Sequence, residues 1–581
     1  MDHSTLRPGS GPGSGRLGRP LRRRVVRVPT EIPGSEAVFL VLRRMRLPLI
    51  VLVTIFAVSV TGLSLMPGMD DNGNPHRLTL FDSFYVMSYT ATTIGFGEIP
   101  YAFSYAQRMW VTLSIYLTVI GWAYAISALF SLVQDAPFRE AISVQRLRRK
   151  IRDIGEPFLI VTGYGQAGRA VCRTLDDLGR RFVVIDDDQR RVDALAVDQH
   201  RVDVPGIDGA ADNPALLGLA GLGHPRCEGV LALASDEVNL SVVMTVHLLR
   251  PEIPVLARAE DRRTANRMLD FDPVAVINPL DRYGSYLVLA LQRPVTFQLA
   301  TWLMDAEGST PPERMRPMRD GRWVVIGDTR FATEVAHDLE NAGLTVEVCD
   351  VAEGNPDVTG AVGLVAGAES DVENLALAAH ARLQNPELFI SLRQRSVLQS
   401  AAVKAFDADS LFVPSDLVAR EMLARVISPA YWSFIDHVLH SGDDRAGEIM
   451  ALLVERFGRR TPASTEITLD HTEAPAVARW LGAGRTLTVG QLLADPDDRS
   501  VPVSALVIAL VRDGETRHLP ADDTELHAGD VLLVAGRQRA LDELNQTLFY
   551  DHTVEYSATG ETVPETWLWR VIRNRRQSAP R

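Results

Sequence analysis

Cysteine is scarce in this chain. Only Cys172, Cys227 and Cys349 occur in 581 residues, far apart, odd in number and without the paired spacing of a metal site. That argues against a disulfide framework and for reduced, buried packing residues in a cytosolic compartment. Lysine is almost missing, with Lys150 and Lys404 standing among arginines, a usage bias from which nothing functional follows. Positive charge as a whole is also short: 60 Lys and Arg face 73 Asp and Glu, a net charge of −13. Residues 1–46 alone hold ten Arg against three acids, so the remainder is more acidic still. Such a surface repels a phosphate backbone and argues against a nucleic-acid partner. Residues 1–15, rich in Gly, Pro and Ser, are expected to be disordered. What is present, 46% hydrophobic and 23% charged residues, fills several globular domains.

Two long runs carry no charge, Leu47 to Met66 and Met109 to Val133. Each is long enough for a bilayer core of about 30 Å at about 1.5 Å per residue. Arg43, Arg44 and Arg46 abut the first run, which exceeds a signal-peptide core, and Met66-Pro67-Gly68-Met69 offers no small-residue cleavage site. Arg22, Arg23, Arg24 and Arg27 precede the first span. Arg139, Arg146, Arg148, Arg149, Lys150 and Arg152 follow the second, so both ends read as cytoplasmic. Between the spans, after the turn Asp70-Asp71-Asn72-Gly73-Asn74-Pro75, Leu80, Phe81, Phe84, Tyr85, Met87 and Ser88 recur at helical spacing up to Thr92. That helix is too short to cross and apolar enough to dip back into the membrane. Thr92-Thr93-Ile94-Gly95-Phe96-Gly97-Glu98 follows it. Extended backbone at membrane depth survives only inside protein or along a wet pore.

Gly95 and Gly97 let successive carbonyls face the same way. Four such segments around an axis make rings of oxygens that replace the hydration shell of potassium, with the Thr93 hydroxyl innermost. Thr93, Ile94, Gly95 and Phe96 are the potassium-coordinating candidates. Phe81 to Pro100 resembles the pore helix and signature filter of two-helix potassium channels. Against the usual Thr-Val-Gly-Tyr-Gly-Asp, this chain carries Ile94, Phe96 and Glu98. Phe96 lacks the hydroxyl that commonly braces the filter, the pore helix has no tryptophan partner for it, and Glu98 keeps the outer negative charge on a longer arm. The resemblance implies a homotetramer in the lipid bilayer of the cell (inner) membrane, with potassium as permeant ion. A non-selective cation channel stays open because of Phe96 and Glu98. Gly121, midway along the second span, is either a gating hinge or a small residue at a helix contact.

After Pro157 an apolar strand, Phe158-Leu159-Ile160-Val161, runs into Gly163-Tyr164-Gly165-Gln166-Ala167-Gly168. An amphipathic helix (Val171, Leu175, Leu178) and a second strand, Phe182 to Ile185, ending in Asp186, come next. This is the dinucleotide fingerprint in its proper context. Backbone amides and the helix N-terminus take the diphosphate, and Asp186 takes ribose hydroxyls, which favours NAD, NADH or an adenine nucleotide over NADP. Asp187, Ser235 and Arg258 complete the candidate site. The unit recurs. Gly327, Leu339, Gly343 and Asp350 match Gly163, Leu175, Gly179 and Asp186 at an offset of 164; Pro251, Arg258, Phe271 and Pro279 match Pro386, Arg393, Phe406 and Pro414 at an offset of 135. Thr329 replaces Gly165 and Ala332 replaces Gly168, so only the first copy is expected to hold a nucleotide.

Neither copy offers a nucleophile or a His–acid pair, and His200, His247, His337 and His380 read as surface or core residues. The chain is therefore expected not to be an enzyme; a membrane-anchored NAD-dependent oxidoreductase is the rival class. A tandem Rossmann-type pair after such a pore resembles the cytoplasmic regulator-of-potassium-conductance domains, over roughly Leu47 to Leu544. That family implies eight copies, two per subunit, in a ligand-gated ring that pulls on the pore helices. Gly209-Ala210-Ala211-Asp212-Asn213-Pro214 resembles the family's Gly-Asp-Ala-Thr-Asp-Pro turn, and Ser235, Asp236 and Asn239 fall where relatives approach the nucleotide. Ala232 and Arg258 fall where calcium-gated relatives carry carboxylates, leaving Glu260 alone. Asp186-Asp187-Asp188 and Asp522-Asp523 leave a divalent cation open, although solvated turns account for them. Ala505 to Leu510, Arg512 to Glu515 and Leu526 to Gly536 resemble the family's small C-terminal subdomain.

The expected fold class is an α-helical membrane pore domain with two spans and a re-entrant helix, then tandem α/β Rossmann-like domains and a small α+β subdomain. The expected divisions are a basic N-terminus (1–46), pore domain (47–134), gating linker (135–156), first regulator domain (157–300) and linker (301–321). A second, degenerate regulator domain (322–447), the C-terminal subdomain (448–550) and a tail (551–581) with Trp567 and Trp569 complete the chain.

Overall fold

Helices α1 (Ala37–Leu65) and α3 (Tyr105–Gln134) contain apolar stretches, Met45–Leu65 and Tyr105–Ser131, long enough to cross a membrane. They belong to a computed structural model that describes residues 28–29, 37–70, 74–99, 101–134, 136–198, 200–305, 307–312, 321–327, 329–395 and 400–561. The Gly-rich N-terminus, the centre of the turn at 71–73, Pro100, residues 306 and 313–320 of the 301–321 linker, Asp328, Trp567 and Trp569 lie outside the described residues. Pro48 lies inside α1, where its missing N–H removes one helical hydrogen bond. The two long helices meet through small residues. Trp110 Nε1 donates to the Ser59 carbonyl at 3.0 Å, and its ring fills the space a side chain on Gly62 would need.

Between them a two-residue ladder, β1 (Gly68–Met69) with β2 (Pro75–His76), closes a turn in which Asp70 accepts the Asn74 amide at 2.8 Å. Helix α2 (Leu80–Ala91) follows, matching the short helix expected there. It starts on a capping box: Thr79 Oγ1 accepts the Asp82 amide, and the Asp82 side chain accepts the Thr79 amide. Val86, Met87 and Tyr89 of α2 pack on Val60 and Leu63 of α1. Helix α4 (Ala136–Arg152) occupies the expected gating linker and carries Arg149, Lys150 and Arg152 in its last turn, where cations suit the helix dipole.

The first α/β repeat comprises β3 (Phe158–Thr162), α5 (Gln166–Asp177), β4 (Arg181–Asp186), α6 (Gln189–Leu195), β5 (Gly206–Asp208) and α7 (Pro214–Leu219). It continues through β6 (Cys227–Ala232), α8 (Asp236–Leu249), β7 (Val255–Arg258), α9 (Arg262–Leu269), β8 (Ala275–Ile277) and α10 (Pro279–Gln292), and α11 (Pro294–Met304) follows. The strands form one parallel sheet in the order β5-β4-β3-β6-β7-β8, the doubly wound order. Every residue of β3 is buried, as a central parallel strand covered on both faces requires.

The second repeat comprises β9 (Arg322–Gly327), α12 (Thr329–Asn341), β10 (Thr345–Cys349), β11 (Ala361–Gly367), α13 (Asp371–Gln384), β12 (Phe389–Arg393), α14 (Ser400–Phe406), β13 (Ser410–Phe412) and α15 (Pro414–Ile427). Its parallel sheet runs β10-β9-β11-β12-β13. Among the described residues it has no counterpart of α6, β5 and α7; a 3-10 turn, Val351–Glu353, takes their place. That deletion is why the repeat offset falls from 164 to 135.

The copies exchange helices. Leu280, Tyr283, Leu287 and Leu291 of α10 enter the core of the second copy against Trp323, Phe331, Val335 and Leu339. In return Val418, Ala419, Met422 and Leu423 of α15 enter the core of the first copy against Val171, Cys172 and Leu175 of α5. Helices α16 (Pro429–His440) and α17 (Asp443–Phe457) then pack with α11 around Trp302, Phe434 and Phe457. The C-terminal subdomain contains β14 (Ala463–Thr468), α18 (Pro475–Gly482), α19 (Val489–Leu492), β15 (Ala505–Arg512), β16 (Glu515–His518), β17 (Val531–Gly536), α20 (Gln538–Phe549) and α21 (Asp551–Thr559). Its antiparallel sheet is ordered β14-β17-β15-β16. The expected fold class is borne out, with one refinement: Cys172 and Cys227 are buried, but Cys349 on β10 is only half-buried.

Candidate functional site

The segment after α2 leaves helical geometry at Thr93. Thr93, Gly95 and Gly97 have φ of +61°, +63° and +70°, whereas Ile94, Phe96 and Glu98 between and after them do not turn positive. Such an alternation of backbone hand is what would let successive carbonyls face the same way, the expectation attached to the two glycines. Thr93 is a β-branched residue in the left-handed region, a conformation costing on the order of 1–3 kcal/mol that the surroundings must hold. Tyr89 does much of the holding. Its carbonyl accepts the amides of Ile94 (2.9 Å) and Gly95 (3.1 Å), and its hydroxyl donates to the Glu98 carbonyl at 3.0 Å. The Tyr85 hydroxyl donates to the Glu98 carboxylate, also at 3.0 Å. The hydroxyl that Phe96 lacks is thus supplied from the helix side, and Tyr89 stands edge-on to the Phe96 ring at 6.0 Å. Helix α3 runs unbroken through Gly121, where a Cβ would lie 2.9 Å from Ile55 Cδ1 of α1. This favours the packing role over the hinge.

In the first repeat the three glycines of the turn do three different things. Gly163, at φ +92°, lies so close to Ala234 that a Cβ would stand 2.6 Å from its amide nitrogen. Gly168 lies against the Gly163 carbonyl, where a Cβ would come to 1.9 Å. Gly165, the N-cap of α5, has nothing within 4 Å of its Cβ position. One tight turn, one close helix–strand contact and one open backbone facing the end of α5 are what a diphosphate needs. Gln166 is exposed and Ala167 buried. Asp186 ends β4 beside this turn with its side chain 1% exposed. Its Oδ2 accepts the Tyr164 amide at 2.5 Å, its Oδ1 accepts the Asp188 amide at 2.9 Å, and Arg191 lies 3.5 Å away. Asp187 is exposed, and Asp188 caps α6 by accepting the Arg190 amide.

Ser235 and Arg258 line a cavity of about 370 Å³ at the same sheet edge, with Asp236, Glu237, Glu260 and, from the second copy, Arg330. Arg258 contacts Glu260, and burial pushes its guanidinium pKa down. Asn239 has another role than approaching a ligand. Fully buried, it accepts the Ala234 amide and donates to the carbonyls of Ala234 and Arg258, latching β6 to β7. Asn374 repeats the latch on Ala368 and Arg393 in the second copy. No group of three or more His, Cys, Asp or Glu among the described residues is placed to hold a metal ion, so the divalent cation has no geometric support.

Residues 159–279 match the TrkA-N domain, and residues 488–548 match the TrkA-C domain. The chain is also 23% identical over 228 residues to potassium channel protein 1 of Methanocaldococcus jannaschii, covering 39% of this chain and 64% of that protein. It is 22% identical over 201 residues to probable potassium channel protein 2 of the same organism, covering 34% and 57%. An uncharacterized protein of Methanothermus fervidus is 27% identical over 223 residues, covering 38% and 34%. The matches thus span between a third and just under two thirds of these relatives' own lengths. Among solved structures, the GsuK channel matches over 88% of this chain and 99% of its own, at 14% identity and a TM-score of 0.43. The resemblance to potassium channels with regulator domains is borne out by the TrkA-N and TrkA-C matches and by the similarity to the two potassium channel proteins.

The TrkA-N match covers the repeat with the open cradle. In the other repeat an aromatic ring plugs the space beside Gly327, where a Cβ would lie 2.9 Å from Phe331 Cδ1. Phe331, in the position of Ala167, is fully buried; its ring occupies the space of a Cβ on Gly367 and stacks on Tyr283. The Arg393 guanidinium lies 4.7 Å over that ring and donates to the Gly367 carbonyl at 3.0 Å. The glycine pattern, with Thr329 and Ala332, did not reveal this Phe331 plug.

Proposed function

We propose that this chain is the subunit of a homotetrameric, potassium-selective channel of the cell (inner) membrane, with both termini cytoplasmic. Its gating ligand is NAD, NADH or an adenine nucleotide, bound by the first regulator domain. The observation that carries this reading is the segment Thr93–Glu98. Its φ signs alternate behind a short capped helix between two spanning helices, in a chain that also carries a TrkA-N glycine cradle. Potassium meets the carbonyls of Thr93, Ile94, Gly95 and Phe96 and the Thr93 hydroxyl, which replace its hydration shell. Ile94 and Phe96 are 59% and 67% exposed in the single chain, surface available to neighbouring subunits.

Gating is then a matter of linkage. Nucleotide at Gly163–Gly168 and Asp186 must bind one conformation of the regulator ring better than the other. The linker 135–156 passes the difference to the second span, and a differential affinity of a few kcal/mol suffices. The division into domains at 46, 134, 156, 300, 321, 447 and 550 belongs to the same proposal.

Purified protein in liposomes, measured for reversal potential under a potassium–sodium gradient with and without NAD or NADH, tests it. The expected result is a potassium-selective current that shifts with nucleotide. Gly165→Val is expected to abolish the nucleotide response and leave conduction, because a side chain there fills the open cradle. A normal response from that variant overturns the nucleotide site, and equal sodium and potassium currents overturn the filter.

A further inference from the structure

Tyr164 is the second residue of the glycine turn, yet it is only 1% exposed. Its hydroxyl donates to Asp198 Oδ2 at 2.7 Å and lies 3.1 Å from Nε2 of His200. With its single proton committed to Asp198, that hydroxyl can only accept from His200, so Nε2 carries the histidine proton. His200 in turn stands edge-on to Phe182 of β4, and its Nδ1 lies 3.9 Å from Asp176 of α5. Asp176 accepts the Arg201 amide through both oxygens, at 3.0 and 2.9 Å. The stretch that follows α6 therefore grips the turn from behind while being tied to α5. At its other end Tyr164 gives its amide to Asp186, the acid placed for the ribose.

The second copy provides the contrast. Among its described residues no segment corresponds to α6 through β5, the sequence has Asp328 where the first has Tyr164, and its cradle is plugged. Grip and open cradle occur together in one copy and are missing together in the other.

We infer that Asp198 and His200 are positioning residues of the nucleotide site. By holding the Tyr164 hydroxyl they fix its amide, and through the amide the Asp186 carboxylate, in the orientation that reads a ribose hydroxyl. The inference rests on reading the first copy as the nucleotide site. Phosphate recognition is independent of the grip, because it belongs to the amides of Gly165 to Gly168 at the start of α5. Ribose recognition is what the grip controls.

The test is calorimetric titration of the full chain in detergent with ADP and with 2′-deoxy-ADP. Tyr164→Phe keeps the ring and removes the hydroxyl; it is expected to cut the preference for ADP over 2′-deoxy-ADP roughly fivefold, the scale of one hydrogen bond. Its affinity for 2′-deoxy-ADP is expected to stay near wild type. Asp198→Asn keeps an acceptor oxygen and is expected to retain most of the preference, whereas Asp198→Leu loses it. A preference unchanged in Tyr164→Phe overturns the inference, as does equal weakening for both nucleotides, the mark of a merely structural role. Wild type that binds both nucleotides equally overturns the inference and leaves the nucleotide site standing. Wild type that binds neither overturns both.

Discussion

At the scale of single residues, Tyr89 concentrates more of the proposed filter's geometry than any residue of the segment Thr93–Glu98 itself. Its carbonyl holds the inner end through Ile94 and Gly95, and its hydroxyl holds the outer end through Glu98. Tyr89→Phe removes only the outer tie. One such bond contributes about 1 kcal/mol, so the filter's ordered conformation should lose roughly fivefold in occupancy. The expected outcome is a lower potassium-to-sodium permeability ratio and faster current decay in the liposome assay, and an unaltered ratio and decay would remove Tyr89 from this role. The sequence showed half of this. Phe96 and the lack of tryptophan marked a missing brace. Helical periodicity, however, reports which residues share a face, not that hydroxyls 9 and 13 positions earlier reach Glu98. His200 was hidden for the same reason: its partner, Tyr164, lies 36 positions away, and no local pattern encodes that pairing.

At the scale of elements, the glycine turn, its flanking strands and the short helix before the filter were legible because they are local. Phe158 to Asp186 needs only an apolar run, glycines at fixed spacing and a second apolar run. The deletion of α6, β5 and α7 was legible as a broken repeat offset, whereas the Phe331 plug was not, since any residue type can follow the turn. Contacts between distant elements were likewise out of reach, and one of them titrates. His437 of α16 and His518 at the end of β16 stack with centroids 4.5 Å apart at 24°, and Phe434 lies 6.0 Å from His518. His518 Nδ1 is buried without a hydrogen bond. Burial lowers both pKa values; Arg445 and His440 lower His437 further, His437 lowers His518, and Asp436 partly opposes the shift in each. The folded state therefore holds these rings neutral. The unfolded chain takes up protons first as pH falls below about 6.5, so this contribution to stability is complete above that pH and is lost below it. His518→Phe keeps an aromatic ring and removes one titrating group. Its unfolding temperature should fall less than that of wild type between pH 7.5 and pH 5.5, and an equal fall would show that the pair does not carry the pH dependence.

At the scale of the molecule, the helix exchange between repeats decides what unfolds together. Met422 belongs to the second copy by sequence and to the core of the first by packing, where it is fully buried with Val171, Cys172 and Leu175. Leu287 is its counterpart, first copy by sequence and second by packing. Each repeat closes its core with a helix from the other, so the two are expected to unfold as one cooperative body rather than as two beads. Tandem repeats alone could not foretell this, because separate and exchanged packing leave the same apolar periodicity in α10 and α15. On the proposed reading the exchange would also give a nucleotide a lever: α15 rests on α5, whose N-terminus is the proposed cradle, so a shift of α5 would be felt by the second repeat. Met422→Ala tests the arrangement. Loss of a buried methionine costs about 2–5 kcal/mol. In scanning calorimetry of the full chain in detergent, that loss should lower a single transition containing both repeats. If each copy kept its own core, the variant would instead split off a separate low-temperature transition for the first repeat and leave the second in place. Saturating NAD should recover part of the lost stability, because a ligand bound only to the folded cradle stabilises everything that folds with it.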